Sequence, residues 1–239
     1  MNIYQLKNTG TAITKIITTA YAIPTDTPEA DGTKEWDKTI IVLVEIEAGG
    51  QTGTGYTYAD IATAYTIEKV LKPMIISLDC MQVEAVTRLM IRGIRNSGTC
   101  GVAMMAVSAV NNALWDVKAR LLQIPLYKLL GAAHNNVPVY GSGGFTSYSN
   151  QQLQHQFEAW AAMGINAFKM KIGRHFSHDI NRVQHARNVI GNDAALFVDA
   201  NGAYSTRTAL AMAARFEKYN VTWFEEPVSS DNLAGLNFI

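Results

Sequence analysis

From Val137 to Glu226 the chain alternates short apolar runs with helix-like stretches, and three of those runs end in polar clusters. Lys169-Met170-Lys171 follows the run Ile165–Phe168. Asp199-Ala200-Asn201 follows Ala195–Val198, and Glu225-Glu226 follows Val221–Phe224. Lys171, Asp199 and Glu225 stand 28 and 26 residues apart. That interval is close to the roughly 30 residues of one strand-helix unit in a (β/α)₈ barrel of about 250 residues. Strands alternating with helices imply a parallel sheet with right-handed crossovers. In such barrels polar groups at the C-terminal ends of strands converge on one site. Two lysines with two or three carboxylates there suggest a bound divalent metal beside an amine base.

The pattern predicts strands at Val137–Tyr140, Ile165–Lys171, Ala195–Val198 and Val221–Phe224. It predicts helices at Asn150–Met163, His178–Ile190 and Thr206–Tyr219, the last with Ser205 as its N-cap. Gly141-Ser142-Gly143-Gly144 reads as a flexible loop after the first of these strands. It lacks the GK[ST] ending and the GxGxxG spacing of phosphate-cradling loops.

Residues 1–134 read differently. Ile13–Ile23 and Thr39–Glu47 are strand-like, and Val44 and Ile46 alternate with Glu45 and Glu47. Pro24–Asp37, with Pro24, Pro28, Gly32 and several acids, reads as an exposed loop. Helical patterns run from about Ile61 to Leu130. The longest is Ala103–Leu122, whose Ala103, Ala106, Ala109 and Ala113 permit close packing before Pro125 ends it. The expected division is therefore an α+β domain over 1–134 and an α/β domain over 135–239. Four parallel strands are about half of a closed barrel. The chain is thus expected to hold about the first half of a longer barrel, with a small open sheet as the alternative.

Composition narrows the function classes. Lys+Arg and Asp+Glu both total 20, so net charge gives no argument for nucleic acid or for an anionic membrane. Cys80 and Cys100 form no CxxC pair, which disfavours a cysteine-rich zinc site. The opening MNIYQLKNTG holds no apolar signal core, and no apolar run approaches the about 20 residues that span a bilayer. A cytoplasmic protein is expected.

Lys169 and Lys171 are two apart, so on a strand they share a face. Side by side they should depress each other's pKa, and a lysine tuned toward neutrality is a usable base. The plainer alternative is two solvated lysines at a strand end. Asp199 and Asn201 share a face in the same way. A carboxylate at a strand mouth is the hard oxygen ligand that suits Mg²⁺, although Asp199 and Asn201 could equally cap the next turn. Glu225 and Glu226 point to opposite faces, so only one can join the site.

The motifs FKMKIG (Phe168–Gly173), FVDANGAY (Phe197–Tyr204) and WFEEPVSSDNLAGL (Trp223–Leu236) together resemble the barrel motifs of the mandelate racemase / muconate lactonizing branch of the enolase superfamily. ALWDVKARLLQIPLYKLLG (Ala113–Gly131) resembles the end of that branch's capping domain. The resemblance implies an N-terminal α+β cap followed by a (β/α)₇β TIM-like barrel. It implies Lys171 as the base and Lys169 as its partner at the substrate carboxylate. It further implies Asp199 and Glu225 as Mg²⁺ ligands and Asn201 beside metal and substrate. Enolase-type sites pair a Lys or His base with Mg²⁺. The third metal ligand and the second acid or base have no counterpart up to Ile239.

The implied reaction is Mg²⁺-dependent dehydration of a sugar acid, a small-molecule carboxylate, by a homo-oligomer. The alternatives are a racemase, epimerase or cycloisomerase using the same enolate chemistry, or a non-catalytic partial barrel. Trp36, in the Pro24–Asp37 segment, matches the position where the family's cap covers substrate and is a candidate substrate-binding residue. His175 and His178 are expected at the surface, and Trp115-Asp116 is expected to support packing.

Overall fold

The structure, a computed structural model, describes residues 10–239, so most of the N-terminal stretch examined for a signal core lies outside them. Two compact units form. One holds the residues through Pro24 together with Lys38–Asn135, and the other holds Thr25–Asp37 with Asn136–Ile239. Among the described residues no helix is long and apolar enough to cross a membrane.

The first unit is built on a three-stranded sheet in the order β1 (Ile13–Ala30), β2 (Glu35–Ala48), β3 (Gln51–Tyr58). β2 and β3 pair antiparallel around Gly49-Gly50. The φ values there, +56° and +77°, are those a two-residue hairpin turn of matching twist demands. Val42, Val44, Ile46 and Ala48 are buried in strict alternation along β2. The helices are α1 (Ala62–Thr66), α2 (Lys72–Ile75), α3 (Val83–Gly93), α4 (Gly101–Leu122) and α5 (Leu126–Leu129), with one π-helical turn at Ile67–Leu71. α4 lies directly on β3. A Cβ at Gly53 would stand 2.3 Å from the Val117 amide nitrogen, and one at Gly55 would stand 2.2 Å from the Ala109 carbonyl. The small residues of α4 and the glycines of β3 thus permit one backbone to touch the other. Cys80 is buried, Cys100 is exposed, and both are free thiols.

The second unit carries a parallel sheet in sequence order: β4 (Gly141–Gly143), β5 (Ala167–Lys171), β6 (Ala195–Asp199) and β7 (Val221–Glu225). α6 (Asn150–Ala162), α7 (Phe176–Ile190) and α8 (Thr206–Phe216) alternate with these strands, and α9 (Leu233–Phe238) follows β7. Alternation decides the faces. Phe168, Met170, Leu196 and Val198 are buried in one cluster with Leu153, Phe157, Val183, Ala209 and Phe216 from the helices. The intervening residues Lys169, Lys171, Phe197, Asp199, Trp223 and Glu225 therefore take the opposite face. This is the α/β fold expected of the first half of a (β/α)₇β barrel.

Two local expectations are overturned. The first strand of the sheet is Gly141–Gly143, not Val137–Tyr140. A Cβ at Gly141 would lie 2.2 Å from the Trp160 ring, and one at Gly143 would lie 2.6 Å from the Gln156 side chain. These glycines admit α6 to the strand; they do not loosen a loop. Likewise, Pro24–Asp37 is mostly strand. β1 runs through Pro24 and Pro28 to Ala30, and β2 begins at Glu35. β1 is the edge of its sheet, where proline's missing N–H removes no required ladder bond.

Candidate active site

Register, more than any single residue, builds the site. Lys171 is level with Asp199 across the β5–β6 pair, and Asp199 is level with Glu225 across β6–β7. Three residues spaced 28 and 26 apart in the chain thus form one row at the C-terminal ends of three adjacent strands. Lys169 lies two residues back on the same face of β5.

The side chains interlock. Lys171 Nζ donates to Asp199 Oδ2 at 2.5 Å. Lys169 Nζ donates to both oxygens of Glu225 at 2.8 Å and stands 3.6 Å from Asp199 Oδ2. Asp199 is 1% exposed and Lys169 6%. Burial works against the Lys169 ammonium, but the Glu225 hydrogen bond and the charges of Asp199 and Glu225 outweigh it and raise its pKa. The expectation that neighbouring ammonium groups would depress the pKa therefore fails for Lys169, because the hydrogen bond to Glu225 and the two carboxylate charges prevail. Tyr140 adds its ring face 5.5 Å from Lys169 Nζ, held edge-on against Phe197. Trp223 Nε1 donates to Glu225 Oε2 at 3.3 Å.

Asn201 sits in the left-handed region at φ +48° and folds back on the cluster. Its amide N–H donates to Asp199 Oδ1 at 2.9 Å, and its Nδ2 lies 3.2 Å from Glu226 Oε2. Its Oδ1 is buried and has no hydrogen-bond partner among the described residues. Glu226, at φ +39°, turns away from Lys169 and Lys171 toward Asn201.

Among the described residues no group of three or more His, Cys, Asp or Glu is placed to hold a metal. The donors gathered here are two carboxylates, Asp199 and Glu225, and the unpartnered amide oxygen of Asn201. All are hard oxygens, and Mg²⁺ is commonly held by one or two carboxylates with waters and substrate oxygens completing six positions. The donor set fits such an ion.

Trp36 belongs to the Thr25–Asp37 segment of the second unit. Its indole N–H donates to Glu29 Oε2 at 2.8 Å, and its ring stands edge-on to Phe145, 5.6 Å between centroids. These partners differ from those of the lysine–carboxylate cluster. The segment is tied to the loop after β4 by Thr146 N–H donating to Ala30 O at 2.7 Å and by Thr146 Oγ1 donating to Asp31 O at 2.7 Å. His175 and His178 are exposed. Asp116 accepts from Thr54 N–H and Arg120 within the first unit.

Tyr140 and Trp223 escaped sequence reading as site features, whereas Asn201 is found beside Asp199, where it was expected. Trp223 lies inside one of the motifs that drew attention. Tyr140 carries no local signal, because its place beside Lys169 depends on the fold.

Family models match both parts of the chain. "Mandelate racemase / muconate lactonizing enzyme, N-terminal domain" covers residues 13–131, and "Enolase C-terminal domain-like" covers 152–239. An arabinonate dehydratase from Saccharolobus solfataricus is 36% identical over 81% of this chain and 54% of its own length. A crystal structure of a mandelate racemase/muconate lactonizing enzyme-like protein from Rubrobacter xylanophilus superposes with a TM-score of 0.92 at 47% identity, covering 95% of this chain and 64% of that one. A racemase from Streptomyces coelicolor, with bound magnesium, gives a TM-score of 0.90 at 33% identity over 93% of this chain and 64% of that one. The chain thus spans between half and two thirds of the length of these relatives.

Proposed function

Because this chain belongs to the mandelate racemase / muconate lactonizing enzyme branch of the enolase superfamily, we propose that its lysine–carboxylate row removes the proton α to a carboxylate with Mg²⁺ as cofactor, and that the reaction is dehydration of a sugar acid. The observation that carries this reading is the level row Lys171, Asp199, Glu225 with Lys169 beside it.

In this reading Asp199 and Glu225 hold the cation, and Asn201 Oδ1 supplies a third oxygen beside them. When bound, the ion would neutralise the negative charge that builds on the substrate carboxylate as the α-proton leaves. Lys171, at one end of the row beside Asp199, takes that proton. Lys169, kept charged by its carboxylate neighbours, holds the substrate carboxylate as a fixed point charge. The β-hydroxyl then leaves with a proton from an acid that the described residues do not provide. Trp36 and its hairpin bear on which substrates are admitted.

The dehydratase reading is supported by the arabinonate dehydratase relative. The racemase of similar structure favours a second reading, in which the same proton returns on the other face. Incubation with a panel of aldonic and aldaric acids and Mg²⁺ in D₂O distinguishes them. A 2-keto-3-deoxy product supports dehydration. Deuterium at the α-carbon with every hydroxyl retained supports racemisation or epimerisation. A chain that binds Mg²⁺ and does neither sinks both, and leaves a partial barrel that needs further polypeptide.

A further inference from the structure

We infer that the N-terminal turns of α7 staple together the three loops that follow β4, β5 and β6, with Asp179 and Tyr204 as positioning residues for the Lys171–Asp199 pair. Two side chains do the stapling. Asp179 is 2% exposed, and its Oδ2 accepts from the Gly173 N–H at 3.1 Å and from the Tyr204 hydroxyl at 2.5 Å. Gly173 is two residues past Lys171, and Tyr204 is five past Asp199. One carboxylate oxygen thus joins the loop leaving the base to the loop leaving the metal-ligand candidate.

Arg182 extends the staple to the third loop. It stands three residues after Asp179, next to it on the helix surface. Its guanidinium donates to the carbonyls of Tyr148 at 2.8 Å, Phe145 at 2.9 Å and Gly144 at 3.2 Å. The Gly144 carbonyl also accepts the Lys171 N–H at 3.1 Å, so the loop after β4 and the end of β5 share an anchor.

The backbone leaves little slack between these points. Gly173 has φ +101°, and a Cβ there would lie 2.7 Å from that of Ala203, in the loop after β6. Ile172 N–H donates to Asp199 O at 2.9 Å. The loops are therefore in contact, and Asp179 holds them from behind.

A purely stabilising role does not account for this choice of residue. A buried carboxyl group that accepts two hydrogen bonds carries a desolvation cost, and apolar residues of similar volume often serve stability as well or better. What the carboxylate supplies is direction: two bonds of set geometry to two different loops. A loss of this kind behind a metal ligand typically weakens metal binding about 10–100-fold.

This positioning role rests on the reaction proposed above, and the test separates the two. In the 239-residue chain, Tyr204→Phe removes one hydrogen bond and leaves the ring's packing. Amide hydrogen exchange at Gly173 and over residues 199–204, together with Mn²⁺ affinity by calorimetry, provides the readout. Tyr204→Phe is expected to accelerate exchange there about fivefold and to weaken Mn²⁺ binding about tenfold. Asp179→Ala should exceed both effects, and Asp179→Asn, which keeps one acceptor oxygen, should recover part of them. Phe216→Leu, a core change in the same unit, should lower Tm without either effect. Wild-type exchange and Mn²⁺ affinity in Tyr204→Phe overturn the inference, as does an equal effect from Phe216→Leu. A wild-type chain that binds no Mn²⁺ overturns the proposed function and with it the positioning role, even where exchange shows the staple itself.

Discussion

Lys171 Nζ meets Asp199 Oδ2 at 2.5 Å across two strands that place the two residues level with each other. The contact holds the buried carboxylate at the strand mouth by a cation of the protein's own. Any metal drawn to Asp199 and Glu225 must therefore compete with the two lysines for the same oxygens.

That competition makes the metal reading testable by charge removal. Asp199→Asn is expected to weaken Mn²⁺ or Mg²⁺ binding by at least about 100-fold, more than the loss of a supporting residue typically causes. Calorimetric titration of the variant checks it. Glu225→Gln should act in the same direction. Unchanged affinity in both variants would remove these carboxylates from the metal site.

Lys169 sets an alkaline limit. Its pKa is raised in the folded chain, burial being outweighed by the hydrogen bond to Glu225 and the charges of Asp199 and Glu225. A raised ammonium pKa contributes stability that is fully present below the unfolded value of about 10.4 and is lost as pH climbs through the folded value. Lys169→Met should therefore be less stable than wild type at pH 7 to 9, with the difference shrinking above about pH 10.5. Urea unfolding midpoints across that range measure the gap.

The two thiols should behave as different species. Burial, reinforced by the charge of Asp79, pushes the Cys80 thiol up to about 11, while Cys100 is exposed. Iodoacetamide at pH 8 should label Cys100 alone in the native chain and both cysteines in denaturant, as peptide mass mapping will show. Because the unfolded thiol gives up its proton first, Cys80 should lower stability as pH rises above the usual thiol range toward 11.

Gly141 is expected to be intolerant of even one methyl group. The added Cβ would stand 2.2 Å from the Trp160 ring, so Gly141→Ala should destabilise by about 1–3 kcal/mol through overpacking. Trimming the obstacle with Trp160→Leu in the same chain should restore part of that loss relative to Trp160→Leu alone. A double-mutant cycle from denaturant unfolding tests the coupling.

The row Lys171, Asp199, Glu225 was legible in the chain because strand-helix units repeat at a nearly constant length, and each unit delivers its last strand residue to the same edge. Face assignment followed from alternation alone. What stayed hidden depends on partners distant in sequence. Gly141–Gly143 looks like a turn until Trp160 comes against it. Pro28 argues for a loop until β1 proves to be an edge strand. The charge state of Lys169 depends on Glu225, 56 residues away, and the Asp179–Tyr204 bond spans 25 residues with no local pattern to announce it.

Within the second unit, the tip of the Thr25–Asp37 segment meets the loops after β5 and β6 through backbone. A Cβ on Gly32 would fall 2.2 Å from the Ala200 carbonyl oxygen and 2.7 Å from that of Ile172, immediately beyond the ends of β6 and β5. The seat is mostly peptide surface, with the Ala203 methyl at 2.9 Å as its one near side-chain neighbour. A hairpin of different composition could be transplanted onto the same seat, provided the residue at its apex stays glycine. One short segment could thus be exchanged with the lysines and carboxylates left as they are.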